Sequence, residues 1–154
     1  MKKKYNIFLI GRKNCKYSKS LSFFLKKRVK NLTYLESEIS KKINKKFMNK
    51  KYDYIFSFRN LDILPKKLLN NCKIASINFH PGIPKYRGIG CINYEIYEKS
   101  KIYGCTAHIM NEKIDNGKVL SVKNFRIKKN YDLDKFLKIT HKLMYTQAKH
   151  VITH

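Results

Sequence analysis

Short apolar runs alternate with stretches of helical spacing through the first half of this chain, and that alternation narrows the fold more than any other feature. Residues 5–10 are a brief apolar run ending at Gly11, the pattern of a buried strand. Leu21, Phe24, Leu25 and Val29 then recur at helical spacing behind Ser18 and Ser20, which are candidate caps. Residues 32–35 form a second strand candidate. Ile39, Ile43 and Phe47 recur every four residues on a lysine-rich helix candidate. Residues 54–58 and 74–79 supply a third and a fourth strand. This order predicts a parallel sheet joined by crossover helices. In open sheets of that kind, ligands bind at the carboxyl ends of the strands. Gly11, residues 57–60 and residues 78–80 all fall at such ends.

Downstream, residues 92–97 read as a helix, and 103–110 and 119–127 as strands. Leu133, Phe136, Leu137, Met144, Ala148 and Val151 give one apolar face to a final helix, with Asp132 and Asp134 in its first turn, where the helix dipole favours anions. The 154 residues suffice for one domain, and an apolar fraction of 43% supports a folded core. The basic start followed by residues 7–10 is too short an apolar run for a signal peptide and reads as a first strand. No run approaches the length needed to cross a membrane. Cys15, Cys72, Cys91 and Cys105 form no CxxC pair, so metal-ligand spacing is absent and a disulfide framework is not expected. This fits a cytoplasmic protein.

The formal charge is +25. Its lysines are dispersed: Lys2, Lys3 and Lys4, then pairs at Lys26-Lys27, Lys41-Lys42, Lys45-Lys46, Lys50-Lys51, Lys66-Lys67 and Lys128-Lys129. Such a pattern suits a solvated basic exterior better than a nucleic-acid stripe, although a nucleic acid stays open as partner. Either way, anionic substrates are electrostatically favoured.

Asn78-Phe79-His80-Pro81 and Asp115-Asn116-Gly117 carry the chemistry. Asn78 and His80 are two residues apart, so an extended strand points both to one face, and Pro81 keeps His80 extended. An amide, an imidazole and a carboxylate are what acyl transfer to an amine requires. They supply a donor for the developing oxyanion, a proton acceptor, and an anion to orient the imidazole. No metal is needed. The competing reading makes Asp115 an ordinary turn residue before Gly117; the two are compatible.

The stretch from residue 57 to residue 120 also resembles the formyltransferases that use 10-formyltetrahydrofolate: glycinamide ribonucleotide transformylase, methionyl-tRNA formyltransferase and the amino-sugar formyltransferases. The resemblance implies an α/β, Rossmann-like open and mostly parallel sheet with helices on both faces, as one catalytic domain over residues 1–154. It implies that Asn78 bonds the formyl oxygen, that His80 is the acid/base or oxyanion-stabilising group, and that Asp115 positions His80 and accepts the proton. Phe58, Arg59, Asn60 and Leu64 resemble one wall of the pterin pocket, and Asn111 to Ile114 the other; Leu64 and Ile114 read equally well as core. The loop from Gly82 to Gly88 is one residue shorter than the commoner version, and its Lys85 and Arg87 are candidates for an anionic acceptor. Gly11 and Lys13 follow a strand and precede a helix, a geometry that can hold phosphate. His108, on a strand, reads as a packed residue. The loop and the stretch from Gly88 to Tyr94 look closer to the sugar-type members than to the purine enzyme. An amino sugar, possibly nucleotide-linked, is therefore the expected acceptor. Methionyl-tRNA, glycinamide ribonucleotide, water (a hydrolase) and a non-catalytic basic nucleic-acid-binding domain are the alternatives.

Overall fold

Side chains of the first strand, β1 (Lys3–Arg12), divide between two cores, because successive residues of a strand face opposite sides of a sheet. In the computed structural model, which describes residues 2–39, 42–128 and 131–154, Ile7 and Leu9 enter one core, and Phe8 and Ile10 the other. Lys41 and Lys129, counted above among the dispersed lysines, lie outside the described residues. β2 (Val29–Ser37), β3 (Tyr52–Phe58) and β4 (Cys72–His80) complete the parallel part of the sheet. β5 (Ile102–Ile109) and β6 (Val119–Arg126) add to it antiparallel, giving the order β2-β1-β3-β4-β5-β6.

Helices cover both faces. α1 (Lys16–Lys26) and the long α5 (Leu133–Thr153) bury Leu21, Leu25, Met144 and Ala148 against Ile7, Leu9, Phe56, Phe79 and Ala107. On the other face, Phe47 of α2 (Lys45–Met48) and Leu68 of α3 (Lys66–Asn70) pack on Phe8 and Ile55. A third cluster joins α4 (Cys91–Tyr97) to α5 through Cys91, Ile92, Tyr103 and Phe136. Glu95 is fully buried on α4, and among the described residues neither carboxylate oxygen has a hydrogen-bond partner.

The architecture expected from the sequence is present, with local differences. α1 has Cys15 as its N-cap rather than either serine; Ser18 is fully buried within its first turn. A capping hydrogen bond contributes only about 1 kcal/mol, less than the packing gained by turning into the helix directly after β1. Val29 is not the last helical residue but opens β2, buried beside the sheet. The helix expected over Ile39, Ile43 and Phe47 shrinks to the single turn of α2, which Asn44 caps by accepting from the Lys46 amide at 3.0 Å. Ile39 is exposed, so the fourfold spacing there had no core to face. α3 was not anticipated. It is one turn entered through Pro65, too short to show a period.

Candidate active site

The carboxyl ends of β1, β3 and β4 open into a cavity of about 610 Å³. Asn78 and His80 sit at the end of β4 and point away from Ile77 and Phe79, which fill the core behind them. The antiparallel neighbour β5 sets His108 opposite Asn78 and Thr106 opposite His80. Their side chains therefore share the cavity face of the sheet, while Cys105 and Ala107 alternate into the core.

Asp115 arrives from the loop after β5 and gathers this group. It stands in the left-handed region at φ 45°, a conformation Asp tolerates in a turn at modest cost. Gly117 is required two residues on, since an added Cβ would lie 1.6 Å from the Ile109 carbonyl oxygen. One carboxylate oxygen accepts from the Asn78 amide at 2.9 Å and lies 3.1 Å from Nε2 of His108. The other accepts from the Gly88 amide at 2.9 Å and lies 3.1 Å from Nδ1 of His80. The far nitrogens of both rings donate to backbone carbonyls: His80 Nε2 to Tyr86 at 2.8 Å and His108 Nδ1 to Ile109 at 2.9 Å. Those bonds set the tautomers and leave one nitrogen of each ring facing the single carboxylate.

One carboxylate can balance only one imidazolium in so buried a place, and the two histidines divide accordingly. Burial pushes the His80 imidazole below the ordinary histidine range; Asp115 and the Tyr86 carbonyl oppose this, and the His108 charge reinforces it. Burial works the same way on His108, but there the Asp115 hydrogen bond, the Ile109 carbonyl and the carboxylate charge win, and its pKa rises. Asp115 itself would be raised by burial, yet the His108 hydrogen bond, the His80 charge and the Gly88 amide hold it down at about 2. The resting state is an ionised Asp115, a neutral His80 and a His108 drawn towards the imidazolium. A carboxylate neighbour, taken by itself, would raise His80; desolvation reverses that expectation.

Of the residues singled out from the sequence, Arg59, Asn60, Leu64, Asn111 and Ile114 line the cavity with the Asn78 group. Phe58 does not. As the last residue of β3 it alternates away, fully buried against Phe79 in the core. Gly11, Lys13, Lys85 and Arg87 do not line it either. Gly11 presses on Ser18, leaving no space for a Cβ. Lys13 extends outward to Glu38 at 3.0 Å, and Lys85 is held outside by Glu98. Arg87 bonds Asn116, next to Asp115 in its loop, beside a much smaller pocket. Among the cavity residues that the sequence did not mark as site residues are Arg12, His108 and His141. His108 had a signal, because Thr106 and His108 are polar at alternate positions of an otherwise apolar strand. Arg12 and His141 had none that separates them from the other basic residues.

A family model described as formyl transferase matches residues 9–152. The bifunctional polymyxin resistance protein ArnA of Wigglesworthia glossinidia brevipalpis is 30% identical over 146 residues, which is 93% of this chain and 21% of that protein. A methionyl-tRNA formyltransferase of Borreliella afzelii is 38% identical over 90 residues, 56% of this chain and 26% of that protein. The chain thus spans about a quarter or less of these two relatives' lengths. Among solved structures, a 4-N formyltransferase from Francisella tularensis is similar with a TM-score of 0.74 at 25% identity, over 96% of this chain and 68% of that one.

Proposed function

The chain belongs to the formyl transferase family, and on that premise we propose that it transfers a formyl group from 10-formyltetrahydrofolate to the primary amine of a small anionic acceptor, an amino sugar. The observation that carries this reading is the single buried carboxylate of Asp115, which collects an amide and two imidazoles on one wall of a cavity.

The pocket suits the folate. Leu61, Ile63, Leu64, Met110 and Ile114 provide apolar walls for a flat pterin, and the loop backbone around Arg59 and Asn60 borders the same space. The folate supplies the formyl carbon; the chain's own residues manage charge and protons around it. Asn78 spends one amide N–H on Asp115 and keeps a second for the oxygen that turns negative as the amine attacks. His108, drawn towards the imidazolium beside it, adds positive charge at the same place. His80, neutral with its Nε2–H on the Tyr86 carbonyl, accepts the proton that the amine loses on Nδ1, where ionised Asp115 stabilises the resulting imidazolium. A proton then goes to the folate nitrogen as its bond to the formyl carbon breaks, so the sequence is neutral overall.

The amino sugar rests on the short loop after Pro81 and on the stretch from Gly88 to Tyr94, which resemble sugar-type members. Methionyl-tRNA is the second reading, favoured by the Borreliella relative's name and the charge of +25. Incubation with 10-formyltetrahydrofolate and each of a nucleotide-linked amino sugar, methionyl-tRNA and no amine, followed by mass spectrometry, tests both. A formylated sugar is expected. Formylation of the tRNA alone selects the second reading, and loss of formyl without any amine makes the protein a hydrolase. Folate binding is checked separately. A hundredfold excess over Kd adds about 2.7 kcal/mol of stability, several degrees in Tm for a domain of this size. No shift would overturn the proposal.

A further inference from the structure

His80 is held from outside the cavity. In its neutral form the ring carries a single proton, and two acceptors face it: the Tyr86 carbonyl at 2.8 Å from Nε2 and an Asp115 carboxylate oxygen at 3.1 Å from Nδ1. A carboxylate is the stronger acceptor. The proton stays on Nε2, and Nδ1 stays open as a base, only while the carbonyl is kept close and well aimed. The loop after β4 is built for that approach. Gly82 leaves the space, since a Cβ there would lie 2.5 Å from Nε2 of His80 and 3.1 Å from the Tyr86 oxygen. Tyr103 donates to the Pro81 carbonyl, Thr106 donates to the Gly82 carbonyl at 2.7 Å, and the Gly88 amide donates to Asp115 at 2.9 Å. These bonds tie down both ends of the loop. In between, Tyr86 is tied by its side chain. Its ring is buried among Cys91, Ile92, Tyr103 and Phe136, and its hydroxyl donates to a carboxylate oxygen of Glu98, which Lys85 also reaches. Glu98 closes the end of α4 with its amide on the Tyr94 carbonyl at 2.9 Å, so the acceptor stands on a helix packed into the third core cluster.

We propose that Glu98 is a positioning residue for formyl transfer: by holding the Tyr86 hydroxyl it aims the Tyr86 carbonyl at His80 and keeps the ring proton on Nε2. The consequence for the reaction rests on the formyl-transfer reading, since the open Nδ1 is the atom that takes the amine's proton. The tautomer itself depends on no substrate. The bonds run in series from α4 to the base: the Glu98 carboxylate, the Tyr86 hydroxyl and its rigid ring, the Tyr86 carbonyl, and Nε2–H of His80. Once the ring is released, the carbonyl can draw back, and the proton passes to Nδ1, where Asp115 accepts it. The amine then meets a nitrogen that already bears a proton, the wrong tautomer for a base. The Glu98 side chain is 40% exposed, and an exposed ion pair contributes little to stability. A role confined to surface charge therefore leaves the His80 ring unchanged, and measurement separates the two roles.

The test reads the His80 tautomer by NMR of its ring nitrogens, in the complete chain without substrate and at a pH where the ring is neutral. It then measures kcat and KM with 10-formyltetrahydrofolate and a nucleotide-linked amino sugar. The unaltered chain should carry the proton on Nε2. Tyr86→Phe, which keeps the packing of the ring, and Glu98→Ala should each move much of it to Nδ1. Each should lower kcat by about tenfold, the effect of one hydrogen bond on the tautomer equilibrium, and leave KM within about twofold. Glu98→Gln keeps an oxygen for the hydroxyl and should restore the Nε2 tautomer and most of kcat. Lys85→Ala leaves the bond between Tyr86 and Glu98 in place and should stay within about twofold. If Tyr86→Phe fails to fold, the exposed Glu98→Ala still decides. A proton that remains on Nε2 in Glu98→Ala overturns the proposal. So does a Glu98→Gln as impaired as Glu98→Ala, an equal loss in Lys85→Ala, or a loss confined to KM. Formylated sugar with an unmoved tautomer sinks this inference and leaves formyl transfer standing. A tautomer that shifts in the variants of a chain that forms no formylated product sinks formyl transfer and leaves the control of His80 by Glu98 standing.

Discussion

The two ends of the cavity hold similar side chains in opposite electrostatic states. Around Asp115, two imidazoles and an amide surround one carboxylate, every nitrogen of the two rings lies within 3.1 Å of an oxygen, and the charges nearly cancel. Around His141, burial first and then the charges of Arg59 and Arg12 suppress the charge of the imidazole. A balanced cluster is held by its own bonds and is ready to stabilise charge that appears during a reaction. Burial alone does not make a histidine catalytic; the sign of its neighbours does.

Removing the hub should have the largest effect. Asp115→Ala leaves both imidazoles without their counter-charge and should lower kcat/KM for formyl transfer by about 1,000-fold or more, with His80→Ala close behind. Asn78→Ala should cost about 100- to 1,000-fold, as for one lost oxyanion donor. If the balanced end works as described, these losses should fall mainly on kcat. Losses confined to KM would break the comparison.

The pH profile sharpens it further. With His80 depressed, activity should persist to a lower pH than an unperturbed imidazole of about 6.5 would allow. With His108 raised, a second loss should appear on the alkaline side as it deprotonates. The result is a bell whose limbs both shift to lower pH in Asp115→Asn, since that variant removes the carboxylate that raises both rings. A profile unchanged in Asp115→Asn would take the histidines out of the proton path.

Stability should respond differently at the two ends. His141 is lower in the folded chain, at about 4, than in the unfolded chain, at about 6.5. The unfolded chain therefore binds more protons between those values, and stability falls as pH drops through that window. His141→Gln should flatten this slope, by about a few degrees in Tm. Asp115 has the usual carboxylate sign. Its contribution is present above about 3.9, its unfolded value, and is lost as pH falls towards about 2. Thermal melts from pH 7 to 3, with and without His141→Gln, check both. A slope unchanged in the variant would show that His141 is not held neutral. The smallest effect is expected for Lys85→Ala, held outside the cavity by Glu98: turnover within about twofold, in line with other exposed ion pairs.

Most of the frame was legible in the sequence. Strand-length apolar runs and helical spacing placed the four parallel strands and α5, and the pairing of Asn78 with His80 followed from the two-residue period of a strand, because these signals depend on near neighbours. Asp115 beside its glycine turn was legible too, and Arg59, Asn60, Leu64, Asn111 and Ile114 fall around the same cavity. What depended on distant segments was not. Phe58 sits one residue before Arg59, and only the register against β1 and β4 turns it into the core. His108 joined the site only once β5 paired antiparallel with β4, which no local pattern dictates. Arg12, Arg59 and His141 line one cavity because β1 and β3 pair side by side up to Gly11 and Phe58 and α5 reaches the same space. Among so many basic residues, their charge carried no information until the fold half-buried them around one cavity. Local periodicity was written in the chain, whereas the charge state of each histidine was decided by burial and by neighbours that only tertiary packing brings within reach.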